Sequence, residues 1–229
     1  MAKLAVIPAR GGSKRLPRKN ILPFLGKPIL AYTIEAAVEA GIFDAVVVST
    51  EDAEIAELAR HFGAEVDLRP PSLAEDQATV ADVCVELLTR KPLPWTDVEQ
   101  MCVLYATAPL RNANDIREVM ALLEPGVCDF GIAATQYTHY PYQALRCGEG
   151  GELSPMWPEL CDKSSAEIGS LVAGNGSTYA VNVPAFLEHK AFYGPGMRAH
   201  MMPFSRSIDI DTADDFDLAL CLARGAIGP

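Results

Sequence analysis

Short runs of apolar residues alternate along this chain with longer segments in which apolar positions recur every three or four residues. The runs predict buried strands and the recurring positions predict amphipathic helices. The predicted strands are 4–7, 45–49, 64–68, 101–106 and 130–135. The predicted helices are 28–40, 51–61, 78–90 and 112–123. This alternation predicts an α/β fold, a doubly wound and mostly parallel sheet with helices on both faces.

The pattern changes between about residues 137 and 176, where glycine, proline and aromatic residues are frequent and the apolar periodicity is lost. We interpret this stretch as a small inserted subdomain, a lid or dimerisation arm, within a single domain that spans residues 1–229. Regular elements resume over 177–183, 184–189 and 199–204. A final helix is predicted over 212–224.

Composition narrows the function classes. The net charge of −11 argues against sequence-independent nucleic-acid binding, which needs a broad cationic face. The N-terminus has no long apolar segment of the signal-peptide kind, and the chain has no apolar run of 18 residues. We therefore expect a cytoplasmic protein that binds neither nucleic acid nor a membrane.

Positive charge is concentrated at the start of this acidic chain, because residues 1–34 contain no Asp or Glu. Five cations and a glycine pair follow the first predicted strand: Arg10, Gly11, Gly12, Lys14, Arg15, Arg18 and Lys19. Glycine allows close backbone approach to phosphate oxygens, and the cations supply charge. A solvated basic loop is the alternative. The loop matches neither G-x-G-x-x-G nor G-x-x-x-x-G-K-[S/T], and it suits a nucleoside triphosphate better than a dinucleotide.

Asp209 and Asp211 alternate with isoleucines, so in an extended conformation both carboxylates lie on one face, about 6–7 Å apart. Two carboxylates at this spacing can share Mg²⁺ with phosphate oxygens. Helix capping is the alternative. It accounts for the aspartates that follow Thr212, but not for the pair that precedes it.

Five motifs occur in order along the chain: residues 6–21 (VIPARGGSKRLPRKNI), 26–28 (GKP), 69–76 (RPPSLAED), 107–111 (TAPLR) and 209–211 (DID). Together they resemble the acylneuraminate cytidylyltransferase family, the CMP-sialic acid synthetases and their relatives for pseudaminic and legionaminic acids. The resemblance covers nearly the whole chain. It implies a Rossmann-like nucleotidyltransferase that uses CTP and Mg²⁺ to activate a nine-carbon 2-keto acid sugar, releases pyrophosphate and forms a homodimer.

The resemblance also implies a role for each motif. The implied nucleotide-binding residues are Ala9, Arg10, Gly11, Gly12, Ser13, Lys14, Lys19, Asn20, Arg69 and Asp76, with Arg69 at the cytidine. The implied sugar-binding residues are Tyr105, Thr107, Asn175 and Tyr179, and the implied Mg²⁺ ligands are Asp209 and Asp211. The expected catalytic residues are Arg10, Lys14 and Lys19 at the departing phosphates, and Asp211, which helps to deprotonate the sugar hydroxyl. A plain Asn-Gly turn and a strand-packing tyrosine are the alternatives for Asn175 and Tyr179.

One position departs from the sialic acid synthetases. Tyr105 stands where they commonly carry glutamine, which leaves open which nine-carbon acid is the substrate. A Kdo cytidylyltransferase of the same fold is one alternative, although its opening motif differs. A non-catalytic nucleotide-binding protein is the other.

Overall fold

A seven-stranded sheet forms the centre of the protein. The structure, a computed structural model, describes residues 2–90, 95, 97–137 and 139–227, with side chains through residue 225. The strands are β1 (Ala2–Pro8), β2 (Pro23–Phe24), β3 (Lys27–Pro28), β4 (Ala45–Thr50), β5 (Glu65–Leu68), β6 (Val98–Leu104), β7 (Phe130–Gln136), β8 (Leu145–Cys147), β9 (Leu153–Pro155), β10 (Val172–Asn182) and β11 (Arg198–Met201). The helices are α1 (Ile29–Ala40), α2 (Ala53–His61), α3 (Val80–Thr89), α4 (Ala113–Ala121), α5 (Ser165–Ile168), α6 (Val183–His189) and α7 (Ala213–Ile227).

The strand order of the large sheet is β11-β7-β10-β6-β1-β4-β5. Strand β10 runs antiparallel to both of its neighbours, and the other pairings are parallel. Helices α1, α2 and α4 pack on one face, and α3 and α6 on the other. The predicted doubly wound α/β fold is therefore confirmed. The strand order reverses beside β1, so a ligand crevice is expected beyond the carboxyl ends of β1 and β6.

The two faces of β1 show why the apolar runs predict buried strands. Ala5 and Ile7 face α1, α2 and α4, whereas Leu4 and Val6 face α3 and α6. All four side chains are buried, because a parallel strand covered by helices on both faces has no solvent side. The predicted strands and helices agree with β1, β4–β7 and α1–α4 to within a few residues at each end.

The stretch from residue 137 to residue 176 divides into two parts. Its last five residues belong to β10, where Val172 pairs with Gln136. The remainder carries the β8–β9 hairpin, whose Leu145 and Leu153 are exposed, and the short helix α5. A role for this segment as a lid or dimerisation arm stays a prediction. Among the described helices, none is long and apolar enough to cross a membrane.

Candidate functional site

A cavity of about 500 Å³ lies beyond the carboxyl ends of β1 and β6, at the reversal of strand order. Leu73, Ala78, Val80 and Val83 form an apolar part of its wall. Ten of the predicted site residues also line it: Arg10, Ser13, Lys14, Lys19, Asn20, Arg69, Asp76, Tyr105, Thr107 and Asp211. The structure thus brings together residues that lie up to 201 positions apart in sequence, from Arg10 to Asp211.

The loop after β1 is held at its start by backbone and amide hydrogen bonds. The N–H of the buried Ala9 donates to Ser49 O at 3.0 Å, which extends the pairing of β1 with β4. Asn20, also buried, donates from Nδ2 to Arg10 O at 2.9 Å. The Asn20 amide therefore fixes the loop backbone at Arg10, whose side chain lines the cavity.

The two glycines of this loop have different surroundings. The Gly11 N–H donates to Glu51 Oε1 at 2.8 Å, and a Cβ at Gly11 would overlap the Asp52 carboxylate. A Cβ at Gly12 would meet nothing within 4 Å. Close approach to Asp52 explains the glycine at position 11, whereas the backbone at Gly12 is open to a ligand.

All five loop cations pair with carboxylates from distant parts of the chain, and Arg18 does so with Asp52 and Glu54, outside the cavity lining. Arg10 Nη1 donates to Asp76 Oδ1 at 3.1 Å, and Lys14 pairs with the other oxygen of Asp76. The Lys14 ammonium and the Arg10 guanidinium lower the pKa of the Asp76 carboxyl. All three side chains are exposed, so these ion pairs exchange readily for another anion.

The second set of pairs involves Asp211. Its Oδ1 accepts from Lys19 Nζ and its Oδ2 from Arg15 Nη2, each at 2.6 Å. Partial burial on its own would raise the pKa of Asp211, but Lys19 and Arg15 outweigh it and the pKa is lowered. Thr212 and Asp215 form the predicted helix cap, with Asp215 Oδ2 accepting from Thr212 N at 2.8 Å. The cap leaves the side chain of Asp211 free to face the cavity.

Asp209 has a different environment. Its side chain is mostly buried beside Gly176, and the Thr107 hydroxyl donates to its Oδ1. Gly176 has φ of +71°, and a Cβ there would lie 2.8 Å from Asp209 Oδ2. Burial raises the pKa of Asp209, which the Thr107 hydrogen bond partly offsets. Within the described part of the chain, Asp209 has no cationic partner at salt-bridge distance.

A cluster of aromatic side chains lies behind the cavity, and Tyr105 is the member of this cluster that lines it. Tyr105 lies 5.5 Å from Tyr179, measured between ring centroids. Tyr179 in turn contacts Phe192 and Tyr193. Burial raises the pKa of Tyr105 to about 12 and also raises that of Tyr179. Both phenols therefore stay protonated at neutral pH and can donate hydrogen bonds.

Asn175 is directed into the protein. Its Nδ2 donates to Ser207 Oγ at 3.0 Å, and its Oδ1 accepts from Ser177 N at 3.1 Å. These bonds connect β10 to the segment that leads to Asp209. Six of the predicted site residues do not line the cavity: Ala9, Gly11, Gly12, Asn175, Tyr179 and Asp209. The sugar contacts of Asn175 and Tyr179 and the metal contact of Asp209 therefore stay predictions.

The sequence predicts no role for three residues at or next to the site. Arg15 lines the cavity but is predicted only as one of the loop cations, and Glu51, which contacts Gly11 and Arg69, is predicted only as the start of a helix. Arg111 lies behind the cavity, within the 107–111 motif, which is the signal that could identify it. Its buried guanidinium donates to Ser177 O at 2.7 Å and Thr33 Oγ1 at 2.8 Å, and burial lowers its pKa to about 10.

Arg69 is the innermost cation of the cavity wall, with 3% of its side chain exposed. Its Nε and Nη2 both donate to Glu51 Oε2, at 3.1 and 2.9 Å.

Among the described residues there is no group of three or more His, Cys, Asp or Glu that could hold a metal ion. A cation at Asp209 and Asp211 would thus need further ligands from a substrate or from water.

Comparison with known proteins decides the family. Residues 4–127, more than half of the chain, match a family model described as cytidylyltransferase. This chain belongs to the cytidylyltransferase family. It is therefore a nucleotidyltransferase enzyme, and the cationic cavity is its candidate active site.

Three relatives support this assignment over nearly the full chain. A pseudaminic acid cytidylyltransferase of Campylobacter jejuni is 35% identical, with 98% of this chain and 97% of the relative covered. A CMP-N,N'-diacetyllegionaminic acid synthase of Legionella pneumophila is 32% identical, with 95% and 94% covered. An N-acylneuraminate cytidylyltransferase of Escherichia coli is 33% identical, with 96% of this chain and 52% of the relative covered.

Solved structures share the fold at low sequence identity. A CMP:2-keto-3-deoxy-manno-octonic acid synthetase, solved in complex with CTP, aligns with a TM-score of 0.73 at 16% identity, covering 99% of this chain and all of the other. A 4-diphosphocytidyl-2C-methyl-D-erythritol synthase of Anaerococcus prevotii aligns with a TM-score of 0.65 at 10% identity, covering 97% and 98%. These similarities confirm the Rossmann-like nucleotidyltransferase fold.

Proposed function

We propose that this enzyme transfers the CMP group of CTP to a nine-carbon 2-keto acid sugar, such as pseudaminic, legionaminic or N-acetylneuraminic acid. The observation that carries the proposal is the cationic cavity at the reversal of strand order, in a chain 32% to 35% identical to enzymes named for these acids. Its cations suit the triphosphate, and its apolar wall suits a flat base.

The reaction replaces one bond to phosphorus with another. The hydroxyl oxygen at C2 of the sugar attacks the α-phosphorus of CTP and gives up its proton, with Asp211 as the expected acceptor, while the bond from that phosphorus to the bridging oxygen breaks and pyrophosphate leaves. Arg10, Lys14 and Lys19 hold the departing β- and γ-phosphates, where negative charge develops. To do so, they exchange Asp76 and Asp211 for phosphate oxygens. The protein thus acts chiefly by positioning and electrostatics.

Mg²⁺ fits the pair Asp209 and Asp211. The mostly buried Asp209 carboxylate has no cationic partner at salt-bridge distance within the described residues, and the charge of Lys19 acts on it only from farther away, so a bound cation would stabilise its ionised form. Mg²⁺ takes one or two carboxylates together with phosphate oxygens and waters, which matches this donor set. When bound, it would neutralise charge at the α-phosphate. The lowered pKa of Asp211 keeps its carboxylate ionised at neutral pH, as both a cation ligand and a proton acceptor must be.

Pyrophosphate release tests the proposal. Purified enzyme with Mg²⁺ is assayed with CTP against N-acetylneuraminic, pseudaminic, legionaminic and Kdo acids, with UTP and ATP as nucleotide controls. We expect release with CTP and at least one nine-carbon acid, and none with Kdo. Arg10→Gln should raise the KM for CTP, whereas Arg60→Gln, an exposed cation on α2, should not. Pyrophosphate release with Kdo as the only accepted acid, or no release with any of the acids, would refute the proposal.

A further inference from the structure

Glu51 is a carboxylate beside a site built for polyanions. It follows β4 at the same edge of the sheet as the cavity. Its two oxygens have separate partners: Oε1 accepts from the Gly11 N–H at 2.8 Å, and Oε2 accepts from Nε and Nη2 of Arg69 at 3.1 and 2.9 Å. One side chain therefore touches both the glycine turn and the innermost arginine.

The negative charge of Glu51 is unfavourable for a triphosphate nearby but favourable for Arg69. Only 19% of the Glu51 side chain is exposed, so its charge is weakly screened and would repel a triphosphate nearby. Arg69, with 3% exposed, needs a counter-charge, since an unpaired buried guanidinium is strongly destabilising. Neutralising Arg69 uses one oxygen of Glu51, and the second oxygen holds the loop.

The same contacts orient Arg69 towards the cavity that it lines. With Nε and Nη2 on Glu51, the plane of the guanidinium is fixed and Nη1 is the nitrogen left for a ligand. On the other side, Gly11 directly follows Arg10, which lines the cavity. Glu51 thus joins two walls of the cavity that come from different strands.

We propose that Glu51 is a positioning residue that couples the two halves of the nucleotide site. It holds Arg69 for the nucleoside and the turn at Gly11 for the triphosphate, so that both halves form together. This inference rests on the proposed function, because it takes CTP as the occupant of the cavity.

Calorimetric binding separates the two halves. The probes are CTP, CMP for the nucleoside side, and inorganic tripolyphosphate for the loop side. Glu51→Gln cannot serve both donors, because its amide nitrogen faces either Arg69 or the Gly11 N–H. We expect it to weaken CTP binding by about 10-fold or more, the value of one charge-assisted hydrogen bond. We also expect CMP and tripolyphosphate each to bind more weakly.

Two further variants define the coupling. Arg69→Met should weaken CMP binding, and it should weaken tripolyphosphate binding as well, because it leaves the Glu51 charge without its partner beside the phosphates. Adding Glu51→Gln to Arg69→Met should then restore part of the tripolyphosphate binding without a further loss for CMP, because the glutamine carbonyl oxygen can still accept from the Gly11 N–H and no unpaired charge remains. The matched control is Glu57→Gln, which makes the same charge change on the exposed side of α2 and should bind all three probes as the wild type does.

The outcomes separate coupling from a merely structural role. Glu51→Asp keeps the charge, and we expect it to restore part of the binding lost in Glu51→Gln. If Glu51→Gln does not fold, Glu51→Asp must itself weaken the binding of both CMP and tripolyphosphate, each to a smaller extent. Unchanged binding, or a loss for only one of CMP and tripolyphosphate, would overturn the coupling. Wild-type protein that binds no CTP would instead refute the proposed function, and the coupling with it.

Discussion

At the scale of single residues, Asp209 and Asp211 lie two positions apart in opposite electrostatic environments. Asp211 pairs with Lys19 and Arg15, and its pKa is lowered. Asp209 is mostly buried, and its pKa is raised because burial disfavours its charged form. The sequence predicts that both face one side. It cannot show this asymmetry, because the neighbours of each carboxylate come from distant parts of the chain.

We expect Asp209→Asn to stabilise the metal-free protein while abolishing CMP transfer. Asparagine keeps an acceptor for the Thr107 hydroxyl and removes the cost of burying an ionised group. At neutral pH this should raise Tm by roughly 2–4 °C, for a gain near 1 kcal/mol. A carboxyl whose folded-state pKa is raised costs stability above that pKa, so the Tm difference should narrow as pH falls. Thermal unfolding in EDTA across a pH series measures this.

Asp211→Asn is the matched control, and for it we expect the opposite change in Tm. A carboxyl with a lowered folded-state pKa contributes stability above its unfolded pKa and loses it as pH falls through the folded value. This substitution should therefore lower Tm at neutral pH, and the loss should shrink in acid. A lower Tm for both variants, with the same pH trend, would contradict the opposite electrostatic environments of Asp209 and Asp211.

At the scale of elements, strand β10 shows where prediction from sequence stopped. Apolar runs identify β1, β4, β6 and β7 because those strands are buried on both faces. The Asn175-Gly176 pair looks like a plain turn, yet it lies within β10, where the pairing with β7 shifts register between Gly174 and Tyr179. The residues on either side pair with β7, about 40 residues earlier, while the turn signal persists as the register shift and the positive φ of Gly176. A single sequence does not show that pairing.

The glycine pair after β1 provides a prediction at this scale. Gly11→Ala places a methyl group against the Asp52 carboxylate, which also caps α2. We expect it to shift the loop and cost about 1–3 kcal/mol of unfolding free energy. Gly12→Ala should leave Tm nearly unchanged, since its Cβ meets nothing within 4 Å, but should raise the KM for CTP if phosphate approaches there. Thermal unfolding and CTP titration measure the two effects.

The two variants control for each other, because both make the same substitution at neighbouring positions. Equal losses of stability would show that the loop tolerates no side chain at either position. In that case Asp52 would not be the reason for the glycine at position 11.

At the scale of the whole molecule, the site is a cationic region on a strongly acidic protein. The net charge is −11, yet Arg10, Lys14, Arg15 and Lys19 all line one cavity. The sequence predicts this gathering, because the four residues lie in one loop. It does not predict that Asp76 and Asp211 pair with them and offset half of their charge, since those ion pairs join residues 62 to 196 positions apart.

The acidic net charge of the protein and the local cations of the cavity predict opposite effects of salt on CTP binding. If the net charge dominated, added salt would screen the repulsion of CTP and lower its KM. The Debye length is about 10 Å at 0.1 M salt, so distant acidic groups are screened while the cavity cations act at contact. We therefore expect the KM for CTP to rise between about 0.02 M and about 0.3 M salt, and more steeply than the KM for the singly charged sugar acid.

Asp76→Asn makes this test specific to the cavity. The Asp76 carboxylate competes with the triphosphate for Arg10 and Lys14, so its removal should lower the KM for CTP at low salt and steepen its rise. Asp44→Asn makes the same charge change far from the cavity and should leave both quantities unchanged. A damaged site would bind CTP more weakly, so tighter binding in Asp76→Asn alone would identify the local cations as the source of affinity. A KM for CTP that falls with salt in the wild type would assign control to the net charge instead.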